Sequence, residues 1–390
     1  MIITNLTIFS EDGIIEKGFI EIDGDKIRRV GHVADFQASD KEEVIEFDDS
    51  YSLIPGMIDL HIHGASGADV MDARPDALKT MVTTLPKEGT TSFLATTMTK
   101  SQEDIENAIG TIANFMPTQN PGHAEILGAH LEGPFLSPKR AGAQHPGNII
   151  NPNVELFKKW QALSGDNIRL VTLAPEEPGG LELTAHLKNT GVVASIGHSD
   201  AVYEEVEAAI EAGVTHATHL FNGMRGIHHR EPGVAGAVLL HDEVKCEMIV
   251  DGIHVAPKMV KFAYKNKGSE GTILVTDSMR AKCLVAGMYD LGGQEVIVNE
   301  ERAVLKDGTL AGSILKLNDA VRNMMKFADC SLKDITEMTA VNPAKQINVF
   351  DRKGSIKAGK DADLVIVNDQ LEVIMTFCRG KLAYSNREGK

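Results

Sequence analysis

Cysteine is scarce in this chain. Its 390 residues hold four, Cys246, Cys283, Cys330 and Cys378, spaced 37, 47 and 48 residues apart with no CxxC pair. That spacing favours buried, reduced thiols in a cytosolic protein over a disulfide framework or a zinc ribbon. Long apolar runs are missing too. Val234 to Leu240 is typical, well short of the roughly 20 residues a membrane helix needs. The start, MIITNLTIFSEDG, has no cationic stretch followed by an apolar one, so no secretory signal is expected and the Asn5-Leu6-Thr7 triplet is a chance glycosylation match. Positive charge is in deficit, with 39 Lys+Arg against 55 Asp+Glu and a net charge of −16. The deficit argues against nucleic acid or an anionic membrane as partner; an anionic small substrate would need a local cationic pocket. There is no internal repeat and no low-complexity segment. What is present, 43% hydrophobic and 24% charged residues, is ordinary for a globular protein and excludes wholesale disorder.

The length fits two to three domains, or one barrel of roughly 250 residues with something attached. In GFIEIDGDKIRRVG (18–31) apolar and polar residues alternate, and Asp23-Gly24 marks a hairpin turn. Near the other end, 362–369 and 372–384 also read as strands. The two β-rich ends predict a small β-sandwich domain built from both termini, residues 1–52 and 356–390. Between them eight short β-branched apolar runs recur: 53–63, 91–98, 125–133, 168–176, 191–200, 215–222, 245–254 and 272–279. Helix-like stretches separate them. One is capped by Ser101 with an apolar stripe at Ile105, Ile109, Ile112 and Phe115; another spans 201–212 and is closed by Gly213. Eight strand–helix units with continuous apolar strands predict an α/β fold, a (β/α)8 TIM-like barrel over residues 53–355.

Polar residues collect at the carboxyl ends of those runs, the face where a barrel builds its active site. The first run ends His61-Ile62-His63, the third Glu132-Gly133-Pro134 and the fifth Gly197-His198-Ser199. The sixth ends His219-Leu220-Phe221-Asn222, the seventh Asp251-Gly252-Ile253-His254 and the eighth Thr276-Asp277-Ser278. Two positions apart on a strand, His61 and His63 point the same way, into the barrel. Imidazoles converging there with a carboxylate make a metal site, and such ligands suit Zn²⁺ or Fe²⁺. A lone strand-end histidine is more often a satisfied core or surface residue; several together carry the metal reading. His32, His123, His186 and His241 lie away from strand ends and read as surface residues, whereas His130 shares a face with Glu132 and reads as a support for the ligands. The segment from Gly354 to Lys360 imitates the start of a P-loop, but Asp361 replaces the required Ser or Thr and a strand follows, so it is a turn.

The HIH, the strand-end Glu, the two later His and the final Asp resemble the amidohydrolase superfamily of metal-dependent hydrolases. More narrowly, HLEGPFLSPKRAGA (130–143), SIGHSDA (195–201), HLFNGM…REPG (219–233), DGIH (251–254), VTDSM (275–279) and LAGS (310–313) resemble the N-acetylglucosamine-6-phosphate deacetylase family, in order and over essentially the whole chain. The resemblance implies that Glu132, His198 and His219 bind a deeply held divalent metal. It implies that His61 and His63 complete a second site through Glu132, approached by Asp277, so one or two metals per subunit, zinc or iron. Asp277 is then the general base and acid. Where the family has an assisting His after the strand-three Glu, this chain has Gln144 with His145 beside it. The resemblance further assigns Ala143, Asn222, Gly223, His254, Ala311 and Gly312 to the sugar and phosphate. It assigns Arg230 to the phosphate in the neighbouring active site of a homodimer. The implied reaction is hydrolysis of N-acetyl-D-glucosamine 6-phosphate to D-glucosamine 6-phosphate and acetate, in amino-sugar catabolism and cell-wall recycling. Two rivals remain: another amidohydrolase, acting on a cyclic imide or an aminopurine, and a catalytically silent scaffold.

Overall fold

The computed structural model describes residues 1–36 and 43–387. Both ends of the chain enter one eight-stranded sheet. Its strands run in the order Lys381–Ser385, Val373–Cys378, Leu364–Asn368, Tyr51–Pro55, Ile2–Ser10, Gly13–Asp23 and Lys26–His32, with Val44–Glu46 paired beside Ile2–Ser10. The hairpin turn falls at Gly24-Asp25, one residue on from the expectation, and Gly24 takes φ +60° at no steric cost. Backbone bonds from Ile27 N to Lys360 O and from Ala362 N to Asp25 O bring distant parts of the sheet together. The sheet curls over an apolar core that includes Ile3, Leu6, Ile20, Leu53, Leu364 and Phe377, with Ile54, Val365, Val367 and Val373 forming a second cluster, and it is the β structure expected from both termini, built as one sheet.

The barrel strands are Met57–Ile62, Thr90–Thr96, Glu125–Glu132, Ile168–Leu173, Val193–Ile196, Val214–Ala217, Lys245–Ile249 and Thr272–Val275. They pair in parallel in sequence order. The ring is closed by a bridge between Ile62 and Ser278, supported by Asp277 N–H to His61 O at 2.8 Å and His63 N–H to Ser278 O at 2.9 Å. Strands buried on both faces read as largely apolar runs, and every residue of Met57–Ile62 and Thr90–Thr96 is buried, the polar ones included. The helix Gln102–Phe115 starts where expected, with the Ser101 side chain accepting from Asp104 N–H, and it buries Ile105, Ile109 and Ile112 against the barrel. The helix Tyr203–Ala212 stops at Gly213.

Three features depart from the sequence reading. The run 53–63 is two strands: Tyr51–Pro55 belongs to the terminal sheet and Met57–Ile62 to the barrel, divided at Gly56. A Cβ at Gly56 would lie 2.2 Å from Thr91 Oγ1, so only glycine lets the chain cross from one sheet to the other there. The run 372–384 is also two strands, Val373–Cys378 and Lys381–Ser385, reversing at Arg379-Gly380 in left-handed backbone. Finally, a small antiparallel sheet, Gly287–Leu291, Gln294–Val298 and Ala303–Val304, is inserted after the eighth barrel strand. The segment from Gly354 to Lys360 is a turn, its Lys360 held by Ser355 and Glu11.

Candidate metal centre and active site

Period-two alternation along the first barrel strand sends Asp59, His61 and His63 to the inner face. His61 and His63 reach Glu132 from below and beside it: His61 Nε2 is 3.5 Å from Glu132 Oε1, and His63 Nε2 is 3.3 Å from Oε2. His198 and His219 close on the same carboxylate, each with Nε2 3.2 Å from Oε1 and 3.2 Å from each other. Asp277 faces them, its Oδ1 3.1 Å from His63 Nε2 and 3.5 Å from His61 Nε2. The strands stop short of these last residues. His198, His219 and Asp277 have φ of +47°, +32° and +47°, a left-handed backbone costing of order 1–3 kcal/mol each. The bend after each strand brings their side chains over the barrel mouth. Gly223 belongs to the same close packing, since a Cβ on it would come 2.9 Å from His198 Nδ1.

Partners fix three of the four rings, while His219 Nδ1 has none. His198 Nδ1 meets Arg140 O at 2.8 Å, His63 Nδ1 meets Thr96 O at 3.3 Å, and His61 Nδ1 meets Glu247 Oε2 at 2.9 Å. Gln144 donates to Glu132 Oε2 at 2.8 Å while its oxygen accepts the Thr99 N–H at 2.8 Å. Burial opposes ionisation of Glu132, yet His61, His198 and His219 outweigh it and hold the carboxyl well below its ordinary range. Asp277 is lowered likewise, against burial, by His61 and His63. Burial also opposes charging of the histidines, but the carboxylates prevail: His63 is pushed up to about 9 by Asp277 and Glu132. His61 is driven well above its usual value by Asp277, Glu132 and Glu247. The pocket thus demands positive charge. Two donor sets, Glu132 with His198 and His219, and Glu132 with His61 and His63, each fall within 4.8 Å. His61 Nε2 is buried without a hydrogen-bond partner, and in the neutral ring its lone pair is open to a cation. Nitrogen and carboxylate donors so gathered fit a divalent metal.

A cavity of about 210 Å³ opens above them. His63, Glu132, His198, His219 and Asp277 line it, and so do Ala143, Gln144, Asn222, Gly223, His254 and Gly312. His61 and Ala311 lie behind the wall, fully buried. His254 is aimed by Asp251, whose Oδ2 meets Nδ1 at 2.6 Å and whose Oδ1 accepts two backbone N–H groups. Despite burial, Asp251 and Asp277 raise the His254 pKa. His145 and Arg230 stay outside: both are exposed, and Arg230 Nη1 rests 2.7 Å from His229 Nε2. His130, buried, bonds Thr172 at 2.7 Å and meets His61 edge-on with ring centres 4.6 Å apart. His32, His123, His186 and His241 lie away from the site. Sequence reasoning missed Glu247, Asp251, and the Met98, Leu291, Thr309 and Leu310 walls. The one signal for Glu247 was a carboxylate between Cys246 and Met248 inside an apolar run.

The amidohydrolase family model matches residues 52–383. Among curated proteins, the N-acetylglucosamine-6-phosphate deacetylase of Bacillus subtilis (strain 168) is 49% identical over 391 aligned positions, covering 100% of this chain and 98% of that protein. The one from Lysinibacillus sphaericus is 45% identical, covering 98% of this chain and 97% of that protein. A mutant of the N-acetyl-D-glucosamine-6-phosphate deacetylase of Mycobacterium smegmatis, solved in complex with N-acetyl-D-glucosamine-6-phosphate, superposes with a TM-score of 0.92 at 31% identity, covering 99% of each chain. The match spans both the barrel and the return into the terminal sheet: the chain belongs to the amidohydrolase family.

Proposed function

We propose that the chain hydrolyses the amide of N-acetyl-D-glucosamine 6-phosphate, giving D-glucosamine 6-phosphate and acetate, in amino-sugar catabolism and the recycling of wall sugars. The observation that carries this reading is the convergence of four histidines on Glu132, with Asp277 against two of them, beside the cavity, in a chain whose relatives bear that activity's name. Glu132, His198 and His219 would hold one cation, and His61 and His63 a second through Glu132. The donor set suits Zn²⁺ or Fe²⁺. Bound there, a divalent cation acidifies water and polarises an amide carbonyl.

The chain's own groups do the rest. Asp277, kept ionised by its histidine neighbours, takes the proton of the attacking water and returns it to the amine nitrogen as the C–N bond breaks. Gln144, engaged at both ends of its amide, orients Glu132. His254, steadied by Asp251, hydrogen-bonds the sugar hydroxyls. Asn222, Gly223, Ala311 and Gly312 contact sugar or phosphate, partly through backbone N–H groups, and Ala143 packs beside them. In a homodimer Arg230 would extend into the neighbouring active site and fork onto the phosphate dianion; its exposure here leaves it free to do so. The cytoplasm is the compartment proposed, and among the described residues no helix is long and apolar enough to cross a membrane.

Acetate release from N-acetylglucosamine 6-phosphate, measured beside unphosphorylated N-acetylglucosamine, tests the reading. The expected result is turnover of the phosphorylated sugar alone, with Arg230→Ala raising KM steeply and sparing kcat. Equal turnover of both sugars, or hydrolysis of a cyclic imide in their place, would contradict it.

A further inference from the structure

Beneath the metal donors lies a buried acid that the reaction just described does not use. Glu247 stands on the seventh barrel strand and is 0% exposed. A lone ionised carboxylate at such depth is costly unless it is fully paired, and here three donors meet it. Oε2 takes His61 Nδ1 at 2.9 Å and the backbone N–H of His219 at 3.1 Å, while Oε1 takes His216 Nε2 at 3.1 Å. Two of these three donors belong to residues of the candidate metal centre. They come from opposite ends of the barrel sequence, His61 from the first strand and His219 from the turn after the sixth. The main chain adds a further tie, from Leu220 N–H to Glu247 O at 2.9 Å.

The geometry has a chemical consequence at His61. An ionised carboxylate only accepts, so Nδ1 keeps a proton, and in the neutral ring, the form that ligates a cation, Nε2 is the nitrogen with the lone pair. That Nε2 points to the gap between Glu132 Oε1 and Asp277 Oδ1, 3.5 Å from each, buried and without a hydrogen-bond partner. His130 lies edge-on against the same ring and restricts its swing.

We propose that Glu247 is a positioning residue for the metal donors. It fixes His61 in the tautomer and orientation that offer Nε2 to a cation shared with His63 and Glu132, and through the His219 N–H it holds the other donor set in register with the first. The inference rests on the donor-set reading above. A buried acid serving the fold alone would change stability when replaced and leave metal affinity as it was. A positioning acid changes the affinity itself, since losing the partner behind a metal-binding imidazole costs about 10–100-fold.

The test uses full-length protein stripped of metal and titrated with zinc against a chromophoric chelator, with circular dichroism to confirm folding. The unmodified protein is expected to take two zinc ions. Glu247→Gln keeps the shape and one accepting oxygen but loses the charge, so it should hold the weaker zinc about tenfold less tightly. Glu247→Leu, which leaves Nδ1 with no acceptor, should lose about 100-fold or the ion altogether. Glu247→Gln decides alone should the leucine variant not fold. Unchanged zinc affinity in folded Glu247→Gln, even with a lowered melting temperature, overturns the proposal and leaves the donor reading standing. Binding of a single zinc by the unmodified protein overturns the proposal alone, and failure to bind any zinc overturns both.

Discussion

Gln144 and Asp277 bracket the donors and illustrate what single residues do at this centre. Gln144 spends one end of its amide on Glu132 and the other on the Thr99 N–H. Gln144→Ala therefore frees the carboxylate to rotate, and acetate-release kinetics should show kcat/KM lower by about 10–100-fold, with weaker zinc retention in the same preparation. Asp277 is the proton carrier of the proposed reaction. Asp277→Asn should keep fold and bound metal yet cut kcat at least about 100-fold, the usual worth of a positioned acid–base group; near-normal turnover in that variant would remove Asp277 from the role. At this scale the strand-end motifs were legible because each donor ends an apolar run, and a polar residue there has one inward address. Glu247 was not. Its partner His61 is 186 residues away in sequence, and no spacing rule links them. Asp251 stood in the DGIH motif, but only the folded turn reveals that its carboxylate grips His254 and two backbone N–H groups.

Eight strands and their helices could be read from apolar runs, yet their boundaries could not. Continuous apolarity looks the same whether a strand belongs to the barrel or to the terminal sheet, so the crossing at Gly56 was invisible until Thr91 was seen to crowd it. The inserted three-stranded sheet was hidden for a different reason: its outer faces are exposed, and its pattern lacks the buried run that marks barrel strands. The junction between barrel and terminal sheet is held by charge. Lys353, 1% exposed, reaches Glu125 at 2.8 Å, Asp361 at 3.2 Å and Asp363, and Arg352 joins Glu125 and Asp361. Lys353→Met leaves buried Asp363 without its cation and takes one partner from Glu125 and Asp361, and should cost about 3–5 kcal/mol by urea unfolding at neutral pH. Despite burial, Lys353 and Arg352 hold the Glu125 and Asp361 carboxyls below their ordinary values. Depressed carboxyls stabilise the fold above their unfolded pKa and cease to as pH falls through the folded one. The penalty of Lys353→Met should therefore be largest at pH 7 and shrink below about pH 4, whereas a pH-independent penalty would assign Lys353 to packing alone.

The whole molecule is acidic, yet its centre needs positive charge. Two carboxylates and four imidazoles crowd the barrel mouth, and a divalent cation is what reconciles them. A cation that binds the folded chain and not the unfolded one stabilises it by mass action, about 2.7 kcal/mol at a hundredfold excess over Kd. Stripping metal should lower the melting temperature by a few degrees in calorimetry and restoring it should reverse the shift; an unchanged melting temperature would separate the donors from the fold's stability. The fold class was legible at this scale because strand–helix alternation has few solutions, while the insertion and the curl of the terminal sheet depend on contacts that only the folded chain makes. The central claim is that amide hydrolysis depends on metal held by Glu132, His198, His219, His61 and His63. Stepwise addition of zinc or ferrous iron to metal-free protein, with acetate release from N-acetylglucosamine 6-phosphate followed at each step, tests it most directly. Activity should be absent at the start and rise with bound metal to a plateau by two equivalents per chain. Full activity in the metal-free protein, or none with the donors filled, would contradict it.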